Sequence, residues 1–197
     1  HGLFKAILFS DLHYSYETKD TCFEVLRFIK EKATSTHAMV FFLGDFWHHI
    51  YRRGTIPVDL LNEMVRFFKD EWNVKTYMIP GNHDYHDSAE TEHGLEMFKD
   101  IPCITVMDKP TIKDKLLFLP YMKDHEKIKE IVECPSAKEV VAIFGHLDVI
   151  GAKMNNSRLS THGCSKDIFT KPTYSGHYHS PSTYGNVRYM DELEAKI

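Results

Sequence analysis

Runs of apolar residues recur along the chain and are separated by segments with helical periodicity. The runs are too apolar for exposed edge strands and predict strands that are buried on both faces. The longest lie at residues 3–9, 39–43, 74–79 and 140–144, and shorter ones at 104–107, 116–119, 173–175 and 187–189. Helical spacing predicts helices from about residue 20 to 32, over 58–70, near 90–99 and from about 123 to 133. The alternation predicts an α/β fold.

Side chains that can bind metals follow these apolar runs, at the ends of the predicted strands. The segments are DLH at 11–13, GDFWH at 44–48, GNHD at 81–84, GH at 145–146 and GHYH at 176–179. Glycine beside such residues permits a sharp turn out of a strand and leaves room for a phosphate group. A single motif of this length is not specific, but their recurrence at successive strand ends is. The pattern indicates a two-metal hydrolase that acts on phosphate esters.

The residue types in these segments also bear on the metal. Two divalent cations about 3.5–4 Å apart need a bridging carboxylate, further ligands, and open positions for the substrate and a bridging hydroxide. Mixed imidazole, carboxylate and amide ligands favour manganese, iron or zinc over calcium and magnesium. The chain contains 13 histidines, an unusual number for its length. We therefore expect two divalent cations of manganese, iron or zinc.

The composition is otherwise that of an ordinary globular chain. Its 197 residues fit one domain, predicted over 1–197, with 43% hydrophobic and 26% charged residues. No apolar stretch is long enough to cross a bilayer and no secretory signal is visible, so we expect an intracellular, cytoplasmic protein with reduced cysteines. The net charge of −4 argues against a protein that coats nucleic acid electrostatically. Contact with nucleic acid would therefore be local.

On the motifs from Asp11 to His179 the chain resembles the calcineurin-like metallophosphoesterases. The resemblance implies a four-layer sandwich of two mixed β-sheets flanked by helices. The implied ligands are Asp11, His13 and His179 for one cation, Asn82, His146 and His177 for the other, and Asp45 as the bridge. The alternative for the two aspartates and the asparagine is a role in turns or helix caps.

The resemblance also implies catalytic residues. His83 matches the histidine that contacts the phosphate and protonates the leaving oxygen, and Asp84 would orient it. His48, three residues after Asp45, corresponds to a second catalytic histidine of one subgroup, although the adjacent His49 could take that role. The alternative is a turn histidine at position 83 and a polar neighbour of the site at position 48.

The subgroup with that second histidine is the SbcD-type DNA repair nucleases, which the chain also resembles in its GHLDVIGA segment at 145–152. This implies a DNA substrate, an ATPase partner of the SbcC type, and a DNA-facing capping domain that these 197 residues lack. The chain could form a dimer. Five basic residues, Arg52, Arg53, Lys153, Arg158 and Lys166, could form a rim for a phosphodiester backbone, with scattered surface charge as the simpler interpretation.

Two other functions remain open at this point. A phosphodiesterase or phosphatase for small molecules would use the same site, although the segment GDFWHHIYRRG lacks the aspartate-arginine-glycine run of the phosphoprotein phosphatases. A non-catalytic scaffold that binds a partner protein would not need His83 or a full set of ligands. The sequence therefore favours an enzyme, and a nuclease over a phosphatase.

Overall fold

The computed structural model describes residues 5–48, 56–86, 89–155, 157–178, 180–190 and 194–196, the last of these by their backbone. The strands are β1 (Ala6–Phe9), β2 (Met39–Phe42), β3 (Thr76–Met78), β4 (Ile104–Val106), β5 (Thr111–Lys113), β6 (Leu116–Leu119), β7 (Ala142–His146), β8 (Thr173–Gly176), β9 (Ser182–Tyr184), β10 (Val187–Tyr189) and β11 (Glu194–Lys196). The helices are α1 (Lys19–Thr36), α2 (Val58–Asp70) and α3 (His125–Glu133). Short 3₁₀ turns lie at Asn82–Asp84, Glu96–Phe98, Pro135–Ala137 and Lys166–Ile168.

The strands form two mixed sheets. In the first, with order β11-β1-β2-β3-β4, strands β1 to β4 are parallel and β11 pairs antiparallel with β1. In the second, with order β5-β6-β7-β8-β10-β9, the four central strands are parallel and the two edge strands are antiparallel. Parallel strands bring their carboxyl ends to one edge of a sheet, which is where the motif residues lie.

The apolar strands are buried on both faces because the two sheets pack against each other and against helices. In β1, Ile7 and Phe9 face α1 and α2, whereas Ala6 and Leu8 face the second sheet. Between the sheets the ring centroid of Phe41 lies 4.9 Å from that of Phe144. A third apolar cluster lies between the second sheet and α3. The order helices, sheet, sheet, helix confirms the predicted four-layer sandwich.

The helices are amphipathic and pack on the sheets by one face. The buried residues of α2 are Leu60, Met64, Phe67 and Phe68, which follow helical spacing. Within the described part of the chain, none of the helices combines the length and the apolar character needed to traverse a bilayer.

Several predicted elements differ from the observed ones. α1 continues to Thr36, where His37 adopts a left-handed conformation and its amide bonds the carbonyls of residues 33 and 34. The segment predicted as a helix near 90–99 forms only a 3₁₀ turn at Glu96–Phe98. The amide of Gly94 donates to the backbone carbonyl of Asp84, which ties the preceding residues to the GNHD loop. Strands β5, β9 and β11 were not predicted, since β5 and β9 are three-residue edge strands that are mostly polar or exposed.

Candidate metal centre

The loops after β1 and β2 continue side by side beyond the strands. The amide of Asp11 donates to the carbonyl of Gly44 over 2.9 Å, and that of His13 to the carbonyl of Asp45 over 3.1 Å. Asp11, His13 and Asp45 all have positive φ, at 57°, 49° and 60°. Non-glycine residues rarely adopt this conformation and tend to do so at functional sites. Ligand atoms of these three residues all lie within 4.8 Å of one another, close enough for a shared metal ion.

A second group lies beside the first and shares Asp45 with it. Ligand atoms of Asp45, His146 and His177 also lie within 4.8 Å of one another. Nε2 of His146 lies 3.3 Å from Oδ2 of Asp45 and 3.0 Å from Oδ1 of Asn82. The structure thus brings six of the predicted ligands together, with Asp45 between the two groups, while His179 lies outside the described residues.

The orientation of the His146 ring is set by the first sheet. Its Nδ1 lies 2.8 Å from the carbonyl oxygen of Leu43, and because a carbonyl only accepts, Nδ1 carries the hydrogen. In the neutral ring Nε2 then presents a lone pair to the space shared with Asp45 and Asn82. Burial alone would lower the pKa of His146, but the Asp45 carboxylate outweighs burial and raises it to about 9. The site therefore has a negative potential that favours a cation.

Glycine is required at two positions behind these ligands. A Cβ on Gly44 would lie 2.4 Å from Nδ1 of His146, and Gly44 has a φ of +97°. A Cβ on Gly81 would lie 2.3 Å from Oδ1 of Asp45. Both distances are too short for any side chain, so the glycines of GD and GNHD allow the ligand loops to pack closely.

Three histidines lie at the open side of the first group. The ring centroid of His13 is 5.2 Å from that of His83 and 5.5 Å from that of His48. The backbone amide of His83 donates to Oδ1 of Asp45 over 2.9 Å, and its Nδ1 lies 2.8 Å from the carbonyl oxygen of His48. Burial lowers the pKa of His83, partly opposed by the charge of Asp45. Nδ1 of His83 is thus engaged by the backbone of the GDFWH loop.

The carboxylate of Asp84 is fully buried and accepts hydrogen bonds from backbone amides rather than from a histidine ring. Its Oδ2 accepts from the amides of Asp45 (2.8 Å) and Gly81 (2.9 Å), and its Oδ1 from the amide of Trp47 (3.0 Å). The prediction that Asp84 orients His83 is therefore corrected: Nδ1 of His83 is held by the carbonyl of His48. Asp84 instead joins the GDFWH loop to the GNHD loop.

Replacement of Asp84 by alanine should strongly destabilise the protein. It removes the acceptor of three buried amides, and each unsatisfied amide costs about 1–3 kcal/mol. We expect the free energy of unfolding of the metal-free protein to fall by at least about 3 kcal/mol, measured by urea denaturation. The exposed Asp100→Ala should change it by no more than about 0.5 kcal/mol. Equal stabilities of the two variants would contradict this role for Asp84.

Asp148 is a residue of the site that the sequence analysis did not identify. It lies two residues after His146, and its Oδ1 is 2.6 Å from Nε2 of His177. Burial alone would raise the pKa of this carboxyl, but the hydrogen bond from His177 lowers it to about 2. An acidic residue shortly after the GH motif was a visible signal in the sequence, but only the fold shows which histidine it contacts.

A further cluster of His93, Glu96 and Asp108 is close enough to hold a metal, but both of its carboxylates are already paired with a lysine. Nζ of Lys99 lies 2.9 Å from Glu96 and 2.7 Å from Asp108. Nε2 of His93 lies 2.9 Å from Oδ2 of Asp108, and its Nδ1 accepts from the amide of Leu95. This cluster is a structural ion-pair network.

The donor atoms of the two groups around Asp45 fit a pair of divalent metal ions. They comprise buried carboxylates, neutral imidazole nitrogens and one amide oxygen, a set that suits manganese, iron and zinc. The shared carboxylate lies where a bridging ligand is needed.

Two viral proteins are similar to this chain in sequence. Exonuclease subunit 1 of Enterobacteria phage T4 is 29% identical over 129 residues, which cover 61% of this chain and 38% of the phage protein. Putative phosphoesterase 244L of Invertebrate iridescent virus 6 is 25% identical over 186 residues, which cover 89% of this chain and 64% of that protein. The chain thus spans less than two thirds of the length of either relative.

Two solved structures are also similar. The nuclease MPE of Pseudomonas putida has 19% identity and a TM-score of 0.45, over 96% of this chain and 70% of that chain. The protein AQ665 of unknown function from Aquifex aeolicus has 17% identity and a TM-score of 0.43, over 94% of this chain and 90% of that chain.

The sequence pattern of one family, described as calcineurin-like phosphoesterase, matches residues 4–194. This match confirms the resemblance seen in the motifs and agrees with the two-sheet sandwich and the paired ligand groups. The chain therefore belongs to the calcineurin-like phosphoesterase family.

Proposed function

We propose that the protein is an SbcD-like nuclease that uses manganese to hydrolyse the phosphodiester bonds of DNA. The observation that carries this proposal is the position of the His48 ring beside the first ligand group, with its centroid 5.5 Å from that of His13 and 6.4 Å from that of His83. The resemblance to SbcD-type nucleases assigns a second histidine to this position. The phage relative, which is named as an exonuclease subunit, supports the same function.

The residues of the site have distinct roles in this proposal. When bound, two divalent cations would lower the pKa of a water molecule and neutralise the charge that develops on the phosphate. Asp45 would hold both cations, and its contact with the amide of His83 keeps that residue at a set distance from them. His83 would donate a proton from Nε2 to the leaving oxygen, because its Nδ1 hydrogen is engaged by His48.

The negative phosphate assists this proton transfer. Burial disfavours the charged form of His83, so the ring alone is a poor proton donor near neutral pH. A phosphodiester bound beside it would add a negative charge that favours the protonated ring, whereas the two cations would disfavour it. The exposed His48 lies beside His83.

The experiment is hydrolysis by metal-stripped protein reloaded with Mn²⁺, on single- and double-stranded DNA, a bis-aryl phosphodiester and an aryl phosphomonoester. His83→Ala should lose the activity. His37→Asn is the matched control, since His37 is exposed, lies at the opposite end of β2 and has a φ of 56° that asparagine tolerates. Degradation of DNA supports the nuclease; activity on the small esters alone would replace it with a small-molecule phosphodiesterase or phosphatase.

Binding of Mn²⁺ should release protons. With a pKa of about 9, His146 is mostly protonated at pH 7 in the metal-free chain, because the Asp45 charge outweighs burial. A cation has to displace that proton, so we expect release of at least about one proton at pH 7 and an affinity that rises from pH 6.5 to 8. Calorimetry in buffers of different ionisation enthalpy measures the release. Binding without proton release would contradict the protonation of His146 in the metal-free protein.

The ATPase partner and the dimer remain predictions. The name of the phage relative describes one subunit of an exonuclease, which is consistent with a partner chain. The basic rim also remains a prediction. Lys153, Arg158 and Lys166 are exposed, whereas Arg52, Arg53 and His49 lie outside the described residues.

A further inference from the structure

Asp148 contacts His177 of the second ligand group. It belongs to none of the sets of described residues whose ligand atoms are close enough to share a cation. It follows β7 directly, two residues after His146, while His177 follows the neighbouring strand β8. Its Oδ1 lies 2.6 Å from Nε2 of His177, the shortest distance between a carboxylate and a histidine ring among the described ion pairs. Nε2 of His177 is therefore engaged by this carboxylate, while a nitrogen of the same ring lies within 4.8 Å of ligand atoms of Asp45 and His146.

The contact with Asp148 determines which ring nitrogen of His177 can bind a cation. A carboxylate only accepts hydrogen bonds, so Nε2 of His177 carries the hydrogen and Nδ1 carries the lone pair. His146 is arranged in the opposite way, with Nδ1 on the Leu43 carbonyl and Nε2 toward Asp45. The two imidazoles would thus offer different nitrogens to a shared cation, because a different ring nitrogen of each is engaged by an acceptor.

Asp148 is itself held on several sides. The hydroxyl of Tyr178 lies 3.0 Å from its Oδ1, and that of Tyr121 lies 3.3 Å from its Oδ2. The ring centroid of Tyr121 is 5.8 Å from that of His177 and 6.0 Å from that of His146. Tyrosine hydroxyls that donate to one carboxylate restrict its rotation, so the acceptor for His177 is preorganised.

The backbone of Asp148 is clamped by the segment around Gly163. The amide of Cys164 donates to the carbonyl of Asp148 over 2.8 Å. Gly163 has a φ of +136°, and a Cβ there would lie 2.4 Å from the Asp148 carbonyl oxygen. Only glycine allows this approach, because both the conformation and the space exclude a side chain.

We propose that Asp148 is a positioning residue that orients His177 and thereby sets the affinity of the cation held by His146, His177 and Asn82. This inference rests on the proposed two-cation site. Carboxylates that accept from metal-binding histidines typically contribute about 10–100-fold to metal affinity. Asp148 should act through His177 alone, without touching substrate or cation.

The first test is calorimetric titration of the metal-free protein with Mn²⁺. In Asp148→Ala we expect one of the two dissociation constants to rise by about 10–100-fold. Asp148→Asn should recover much of this loss, since its amide oxygen can still accept from Nε2 of His177. Gly163→Ala should weaken binding of the same cation, because the added methyl group would displace the backbone of Asp148.

Asp108→Ala is the matched control. Like Asp148, Asp108 contacts Nε2 of a histidine, here His93 over 2.9 Å, but it belongs to the ion-pair network with Lys99. It should leave both dissociation constants unchanged. If Asp148→Ala and Asp148→Asn both bind two Mn²⁺ ions with unchanged affinity, the inference is overturned. If the unaltered protein binds fewer than two ions, the proposed two-cation site fails instead.

The second test reads the His177 ring directly and needs no cation. Long-range ¹H–¹⁵N spectra of the metal-free, histidine-labelled protein report which ring nitrogen carries hydrogen. We expect hydrogen on Nε2 of His177 and loss of this preference in Asp148→Ala. Hydrogen on Nδ1 in the unaltered protein would overturn the assignment.

Discussion

Replacement of Asp45 by asparagine should abolish binding of both cations. Asp45 belongs to both ligand groups, is 1% exposed, and directs its Oδ2 toward Nε2 of His146. The asparagine has the same shape but lacks the negative charge that balances two cations at once. We expect the number of bound Mn²⁺ ions to fall from two to near zero, with turnover reduced by more than about 10³-fold.

The measurement is metal analysis after equilibration, together with calorimetric titration. Circular dichroism of the metal-free variant checks its folding, since the Asp45 backbone amide still donates to Asp84. Asp108→Asn is the control, because it alters a partly exposed carboxylate that also contacts a histidine. Retention of two tightly bound ions in Asp45→Asn would exclude the bridging role.

Replacement of His83 by alanine should leave metal binding intact and reduce turnover by about 10²–10⁴-fold. The ring takes part in neither group around Asp45, and its Nδ1 is engaged by the His48 carbonyl. What the variant loses is the proton donor at Nε2. The comparison is steady-state hydrolysis of the best substrate at saturating Mn²⁺, with His37→Asn as the control.

A second outcome of this experiment is informative about the three clustered histidines. His13, His48 and His83 are also close enough to hold a cation. His13 already belongs to the first group around Asp45, and the side chain of His48 is exposed, so we expect no separate tightly bound ion there. Loss of a bound Mn²⁺ ion in His83→Ala would make His83 a ligand and would refute its assignment as proton donor. A variant with full turnover would refute it as well.

The apolar pattern of the sequence by itself determined the α/β class of the fold and placed the site at the strand ends. Apolar runs of strand length, separated by helical segments, require parallel strands buried on both faces. Since parallel strands end at one edge of a sheet, Asp11 and Asp45 of the first sheet had to lie near each other, as did His146 and His177 of the second. Glycine is required beside the ligands for a local reason. The positive φ of Gly44 and the close approach of Gly81 to Asp45 exclude a side chain at either position.

Only the tertiary structure decided what holds each ligand in place. The ring of His146 is fixed by the carbonyl of Leu43, 103 positions away, and the amide of His177 bonds Asp11, 166 positions away. The same is true of Asp84, which bonds backbone amides of another loop, and of Asp148, which bonds a histidine from the next strand. Hydrogen bonds between distant segments leave no periodic signal, because they depend on how the two sheets and their loops meet.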